Sequence, residues 1–251
     1  MNKPIIIANW KMNLSAGQSI ELATVLKESL AEEKKKEVVI CPSFSALAGV
    51  GQALKGSEIK LGSQDIFWES RGAYTGEESP KFLRELDCRY AIIGHSERRQ
   101  YLLETDEMTH LKIKAGYAAN LTPILCVGET FAERQEGQAD NAIFRQVVRV
   151  LSGIELTANE QLVIAYEPVW VIGSGRPIEA PEAERAFKLI HHALLDFWPP
   201  AIIKNNIRII YGGSVDAGNV AQFAGLDHFA GLLVGGASLK AEEFSAIIKM
   251  I

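Results

Sequence analysis

Short apolar runs alternate along this chain with longer segments of helical period. The runs are Ile5 to Ala8, Val38 to Cys41, Ile59 to Gly62, Tyr90 to Ile93, Thr122 to Val127, Leu162 to Tyr166, Ile207 to Tyr211 and Leu232 to Val234. They are too short for helices and show no polar alternation, the pattern of strands buried on both faces. Between them apolar residues recur at helical spacing, as in Ile20, Ala23, Leu26, Leu30 and again in Ala183, Phe187, Ile190, Leu194, Phe197, the second series opening with Pro181 in a first turn. Strands alternating with helices pair in parallel through right-handed crossovers. Eight such units in 251 residues predict an α/β fold, a single (β/α)8 barrel of parallel strands forming one domain over 1–251. A doubly wound open sheet would carry a glycine-rich turn after its first strand, and none follows Ala8. One connection is anomalous: 64–79 is long, with hinge-sized residues at Ser70, Gly72, Ala73 and Gly76, and long loops in compact domains are usually functional or interfacial.

Composition narrows the partners. The chain is 47% hydrophobic and 23% charged, and 26 basic against 31 acidic residues leave a formal charge of -5, which argues against nucleic acid. Lys34 to Lys36 form the one basic tract, read as the solvated end of a helix. Cys41, Cys88 and Cys126 are odd in number and lack metal-ligand spacing, as expected of reduced thiols in a cytoplasmic protein. Ile5 to Ala8 is too short for a signal-peptide core or a membrane span.

Polar residues fall where the strands end: Asn9 and Lys11, then Gln64, His95 and Glu97, Glu129, and Glu167. A closed barrel brings such ends to one face, so the convergence itself points to an active site. Glu167 ends a buried run, and Pro168 biases it toward extended geometry, which suits a positioned base. The Val-Trp-Val-Ile segment that follows, with Gly173 and Gly175, has the composition of a hinged lid over 168–176. His95 precedes a helix start, where the dipole disfavours the imidazolium and leaves a neutral donor able to polarise a carbonyl. Lys11 is the cation available to an anionic ligand. The last two strands end in Gly212-Gly213-Ser214 and Gly235-Gly236, each expected to open a helix whose N–H groups face a phosphate. These parts suit proton abstraction beside a carbonyl through an enediolate, with no metal and no redox cofactor required. The 162–168 segment has no Schiff-base lysine, and no metal-ligand cluster is recognisable.

The segments ANWKMN at 8–13, GAYTGE at 72–77, GHSERR at 94–99, CVGE at 126–129, AYEPVW at 165–170, YGGSV at 211–215 and LVGGASL at 233–239 resemble the triosephosphate isomerase family essentially from end to end. The resemblance implies cofactor-free interconversion of dihydroxyacetone phosphate and glyceraldehyde 3-phosphate. It makes Glu167 the base, His95 the electrophile, Lys11 an electrostatic stabiliser and Asn9 a polar substrate contact, with Gly173, Ser214, Gly235 and Gly236 around the phosphate. It also implies a homodimer in which the loop carrying Tyr74 and Thr75 docks beside the partner subunit's mouth. The chain departs from the family at the lid, VIGSGR in place of AIGTGK, and at Ala230, where an aspartate is common and a local hydrogen bond comes into doubt. Two other readings remain at this stage: a barrel that binds sugar phosphates without turning them over, and a phosphoribosyl-type isomerase on the same scaffold.

Overall fold

The computed structural model describes residues 3–173 and 177–251. Eight parallel strands close into a barrel in sequence order, each hydrogen-bonded to the next and the last to the first. They are β1 (Ile5–Asn9), β2 (Glu37–Cys41), β3 (Lys60–Ser63), β4 (Cys88–Ile93), β5 (Thr122–Val127), β6 (Leu162–Tyr166), β7 (Ile207–Tyr211) and β8 (Phe229–Val234). The helices around them are α1 (Ala16–Ser29), α2 (Leu47–Leu54), α3 (Pro80–Glu85), α4 (Ser96–Tyr101), α5 (Asp106–Ala118), α6 (Phe131–Gln135), α7 (Ala139–Leu151), α8 (Ala180–Leu194), α9 (Pro200–Asn206) and α10 (Ala241–Met250).

The strands read as unbroken apolar runs because both faces are dry. Ile5 and Ile7 of β1 join an inner cluster with Val39, Ile92, Ile124, Val163 and Ile210, which fills the barrel. Ile6 and Ala8 of the same strand face outward into the layer shared with the helices. β8 begins three residues before its apolar run. Gly231 sits within it at φ 146°, and a β-carbon there would lie 1.8 Å from the Ile5 carbonyl oxygen, so β8 meets β1 through a glycine that breaks the hydrophobic pattern.

Helix positions follow their local chemistry. Ser15 and Gln18 form a capping box that starts α1. Ala23, Leu26 and Leu30 are buried as expected, whereas Ile20 is 38% exposed and lies over Gly49 of α2. Pro181 occupies the first turn of α8, and Ala183, Phe187, Ile190 and Leu194 are fully buried along it. Phe197 falls beyond the helix end. The 64–79 loop is packed on itself: the Phe67 N–H donates to the Glu78 carbonyl at 2.9 Å, and the Phe67 ring stacks on Trp68 at 4.0 Å and tilts against Tyr74 at 4.6 Å. No helix among the described residues is long and apolar enough to cross a membrane.

Candidate active site

The C-terminal strand ends surround a cavity of about 300 Å³. Asn9, Lys11, His95, Glu167, Gly173, Ser214, Gly235 and Gly236 all line it, so the residues singled out from the sequence meet at one mouth. Ile172 of the expected lid lines it too, as do Leu233 and Asp216, which the sequence reading does not single out. Leu233 could have been found by following the strand period, which puts it on the inner face of β8.

Glu167 is 1% exposed, at the end of β6. Its N–H donates to the Val127 carbonyl at 2.8 Å, so the ladder with β5 extends to the residue itself. The carboxylate Oε2 accepts the Ser96 N–H at 2.9 Å, at the start of α4. Oε1 lies 3.0 Å from His95 Nε2 yet has no aligned hydrogen bond, which leaves a buried acceptor facing the imidazole. Burial alone would raise this carboxyl's pKa. The adjacent His95 and the Ser96 N–H outweigh it and hold the group below the ordinary carboxylate value.

His95 is the N-cap of α4, and its Nδ1 accepts the Glu97 N–H at 3.2 Å. That bond needs a lone pair on Nδ1 and so fits a neutral ring with its proton on Nε2, as expected from the helix start. The wider electrostatics oppose the simple sequence argument. Burial lowers the ring's pKa, but the Glu167 carboxylate opposes it more strongly, so the balance is a raised value while the two groups touch. The helix start therefore sets the tautomer, and Glu167 sets the ring's basicity.

Lys11 leaves β1 with φ 51°, a left-handed backbone rarely taken by a non-glycine residue. Its carbonyl accepts from Gln64 Nε2 at 2.9 Å, and its N–H donates to Asn9 Oδ1 at 3.1 Å, which fix the turn. The ammonium pairs with Glu97 Oε1 at 2.5 Å across the mouth. Gln64 thus supports Lys11 from outside the cavity. Glu129, the remaining polar strand-end residue, also faces elsewhere. It is 1% exposed and accepts from Tyr166 Oη at 3.2 Å and Trp170 Nε1 at 2.8 Å.

Trp170 packs against the main core and is tied to Glu129, and the Arg134 guanidinium lies over its ring at 4.3 Å. The segment expected to form a lid begins as a 3-10 turn, Val169–Val171, with Val171 only 3% exposed in the main core, and reaches the cavity at Ile172 and Gly173. Ser174, Gly175 and Arg176, expected from the sequence to complete the lid, lie outside the described residues.

The glycine cup differs from expectation in one respect. No helix opens at Gly212-Gly213; a 3-10 turn follows only at Val220–Gln222. After β8 a 3-10 turn does open at once, Gly236–Leu239, with Ser238 Oγ donating to the Gly235 carbonyl at 2.6 Å. Lys11 Cε lies 3.6 Å from where a Gly235 β-carbon would be, which sets the ammonium beside the cup. Cys126, though near, is fully buried, and burial and the Glu167 charge push its thiol well up. Among the described residues no group of three or more His, Cys, Asp or Glu is placed to hold a metal.

A closed parallel barrel with a buried carboxylate, an imidazole, an ammonium and a glycine cup at its C-terminal mouth belongs to the α/β-barrel enzymes. A family model described as Triosephosphate isomerase matches residues 4–251. A triosephosphate isomerase of Moorella thermoacetica is 46% identical over 99% of this chain and 98% of its own, and one of Dictyoglomus turgidum is 43% identical over 99% and 100%. The crystal structure of triosephosphate isomerase from Bartonella henselae is similar, with TM-score 0.89 and 33% identity over 99% of both chains. The chain belongs to the triosephosphate isomerase family.

Proposed function

We propose that this chain, acting as one catalytic domain over 1–251, interconverts dihydroxyacetone phosphate and D-glyceraldehyde 3-phosphate by proton transfer through an enediolate, with no cofactor. The observation that carries the proposal is the Glu167 carboxylate, ionised by its surroundings and 3.0 Å from His95 Nε2 in a cavity shared with Lys11 and two glycine pairs. Glu167 takes the proton from the carbon beside the carbonyl and returns it to the neighbouring carbon. His95 donates from Nε2 to the oxygen on which charge develops and relays a proton between the two oxygens. Lys11 and Asn9 stabilise that charge, and Gly173, Ser214, Gly235 and Gly236 hold the phosphate. In this arrangement Oε2 is held by the Ser96 N–H, and Oε1 is the carboxylate oxygen without a hydrogen bond.

The same proposal includes a homodimer in a reducing cytoplasm. Support for pairing comes from Tyr74 at the tip of the 64–79 loop, 45% exposed, and from Met12, Tyr101, Leu102 and Leu103, which are more exposed still. Support for the compartment comes from three free, buried cysteines. The test is an isomerase assay coupled to removal of the product, run at enzyme concentrations spanning the dimer-to-monomer range. Turnover that falls with dissociation fits the whole proposal, whereas binding without turnover establishes a carrier.

A further inference from the structure

α7 buries a polar residue within an apolar stripe. Ala142, Ile143, Val147 and Val150 are buried at helical spacing, and Gln146 stands among them, 7% exposed. A buried side-chain amide carries donors and an acceptor that need partners, so its place on this face calls for a specific one. The partner is Gly128, just past the end of β5. Gln146 Oε1 accepts the Gly128 N–H at 2.8 Å, and Nε2 donates to the Gly128 carbonyl at 3.0 Å. The pairing of β4 with β5 ends at Ile93 and Leu125, which leaves these two backbone groups beyond the ladder, and the Gln146 amide takes the place of a neighbouring strand.

The opposite edge of the same peptide holds the proposed base. The peptide unit joining Val127 to Gly128 gives its N–H to Gln146, and its carbonyl, that of Val127, accepts the Glu167 N–H at 2.8 Å. Further on, the Glu129 carbonyl accepts the Val169 N–H at 3.2 Å, so the bonds that join the 127–129 segment to 167–169 flank the residue that Gln146 clamps. Hydrogen bonds through one peptide polarise each other, and engaging this N–H strengthens the bond that the carbonyl makes to Glu167. Packing alone would not fix the position. A cavity of about 240 Å³ is lined here by Cys126, Gly128, Gln146, Glu167 and Val169, so space is available for the backbone to shift.

We infer that Gln146 is a positioning residue for the reaction: its amide pins the 127–129 backbone and thereby fixes where the Glu167 carboxylate stands relative to His95 and the substrate. The inference rests on the proposed role of Glu167 as base. Gln146 acts from α7 and does not itself line the catalytic cavity. Without its amide a buried N–H and a buried carbonyl are left unmet, and the segment relaxes toward whatever partners it can reach.

The test uses two neutral variants of the intact protein: Gln146→Met, which keeps the side chain's length and removes both bonds, and Gln146→Asn, which keeps the amide but is a methylene too short to hold both groups. The measurements are kcat and KM, inhibition by inorganic phosphate as a report on the glycine cup, and the midpoint at which the Glu167 carboxyl carbon titrates by NMR without ligand. A shift of about 0.5 Å at the base is expected to lower kcat about tenfold, less than the roughly hundredfold of a 1 Å misplacement, with KM and phosphate inhibition within about twofold of the wild type. The carboxyl midpoint is expected to rise, since a displaced Glu167 loses part of its contact with His95 and the Ser96 N–H while its burial remains. A substitution that merely loosened the barrel would lower the melting temperature and leave that midpoint in place. Normal kcat, an unmoved midpoint, or a loss of phosphate affinity as large as the loss of kcat overturns the inference; if the Met variant does not fold, Gln146→Asn decides by the same criteria. A wild-type protein that binds phosphate without isomerising triose phosphate would overturn the proposed function, and the midpoint would still decide whether Gln146 holds Glu167 in place.

Discussion

Gly128 and Glu167 pack backbone against backbone, so closely that a β-carbon on Gly128 would lie 1.7 Å from the Glu167 carbonyl oxygen. Gly128 is not among the residues of positive φ, so space rather than conformation demands the glycine. The contact follows from the Glu167 N–H to Val127 carbonyl bond, which carries the β5–β6 pairing one residue past the strands. Gly128→Ala must therefore push the proposed base off its register. A displacement of about 1 Å at a reacting group costs on the order of a hundredfold in rate. We expect kcat to fall by about that factor in a protein that still folds. A folded Gly128→Ala enzyme of normal kcat would show that Glu167 tolerates the displacement.

Glu167→Gln keeps the length and hydrogen-bonding reach of the side chain but removes its basicity. Turnover is expected to drop at least about a hundredfold, the low end for loss of a general base, while an inert phosphate analogue binds almost as before. Near-wild-type turnover would assign the proton transfer to another group.

The contact between His95 and Glu167 can be measured by titration. Burial pushes the Glu167 carboxyl up and His95 with the Ser96 N–H pulls it down, with a net lowering. A carboxyl whose folded pKa is depressed stabilises the fold above the unfolded value and loses that contribution as pH falls through the folded one. His95→Gln removes the largest opposing influence and leaves the burial. The Glu167 carboxyl carbon, followed by NMR, should then titrate at higher pH than in the wild type. An unchanged midpoint would mean that the Ser96 N–H alone holds the group ionised.

The parts of this molecule that the sequence revealed are those where one chemical demand acts on a short segment. β5, β6 and β7 were located to the residue, because strands dry on both faces need an uninterrupted apolar run. The cavity residues were legible because each follows directly on a strand. Demands shared between distant segments were not. The start of β8 was hidden by Gly231, whose role depends on the backbone of β1. Glu129 was grouped with the mouth by its position after β5, yet its partners are Tyr166 and Trp170, forty or so residues on. The basicity of His95 could not be read from the helix it caps, since the carboxylate that governs it arrives from β6.

Asp65, at the base of the 64–79 loop, is packed with Glu104 around Lys112 at 2.8 and 2.5 Å, with Arg98 2.8 Å away. Burial and the Glu104 charge exceed the pull of Lys112 and Arg98, and the Asp65 carboxyl is pushed up to about 6. Because the folded value exceeds the unfolded one, the group's contribution to stability is lost as pH rises through about 4 to 6. Asp65→Asn, which mimics the protonated form, should therefore stabilise the protein above about pH 6 and leave it unchanged near pH 4. The displacement from 3.8 to about 6 sets an upper bound of about 3 kcal/mol. Thermal melts across this range decide the matter; an Asn variant less stable at pH 8 would mean that the ion pairs outweigh the burial of Asp65.

An enediolate with a neighbouring phosphate can expel it, so the intermediate must be shielded from water and held where elimination is disfavoured. The segment placed to do this starts at Pro168 and reaches the cavity at Ile172 and Gly173. Its base is held by Trp170, which donates to Glu129 and lies under Arg134, and by Val171, buried in the main core. Phosphate binding can favour a closed lid only by the difference in its affinity for the two states, so the rigidity of the base decides how much of that difference reaches the tip. Trp170→Phe removes the donor and leaves Tyr166, at 3.2 Å, as the side-chain hydrogen-bond donor to Glu129 among the described residues. This variant should close less completely on the bound substrate. We expect a fall in kcat of about tenfold, and a rise in the fraction of substrate lost as methylglyoxal per turnover. The second measurement discriminates: a slower enzyme with an unchanged methylglyoxal fraction would mean that Trp170 governs the rate of lid motion and has no part in protecting the intermediate.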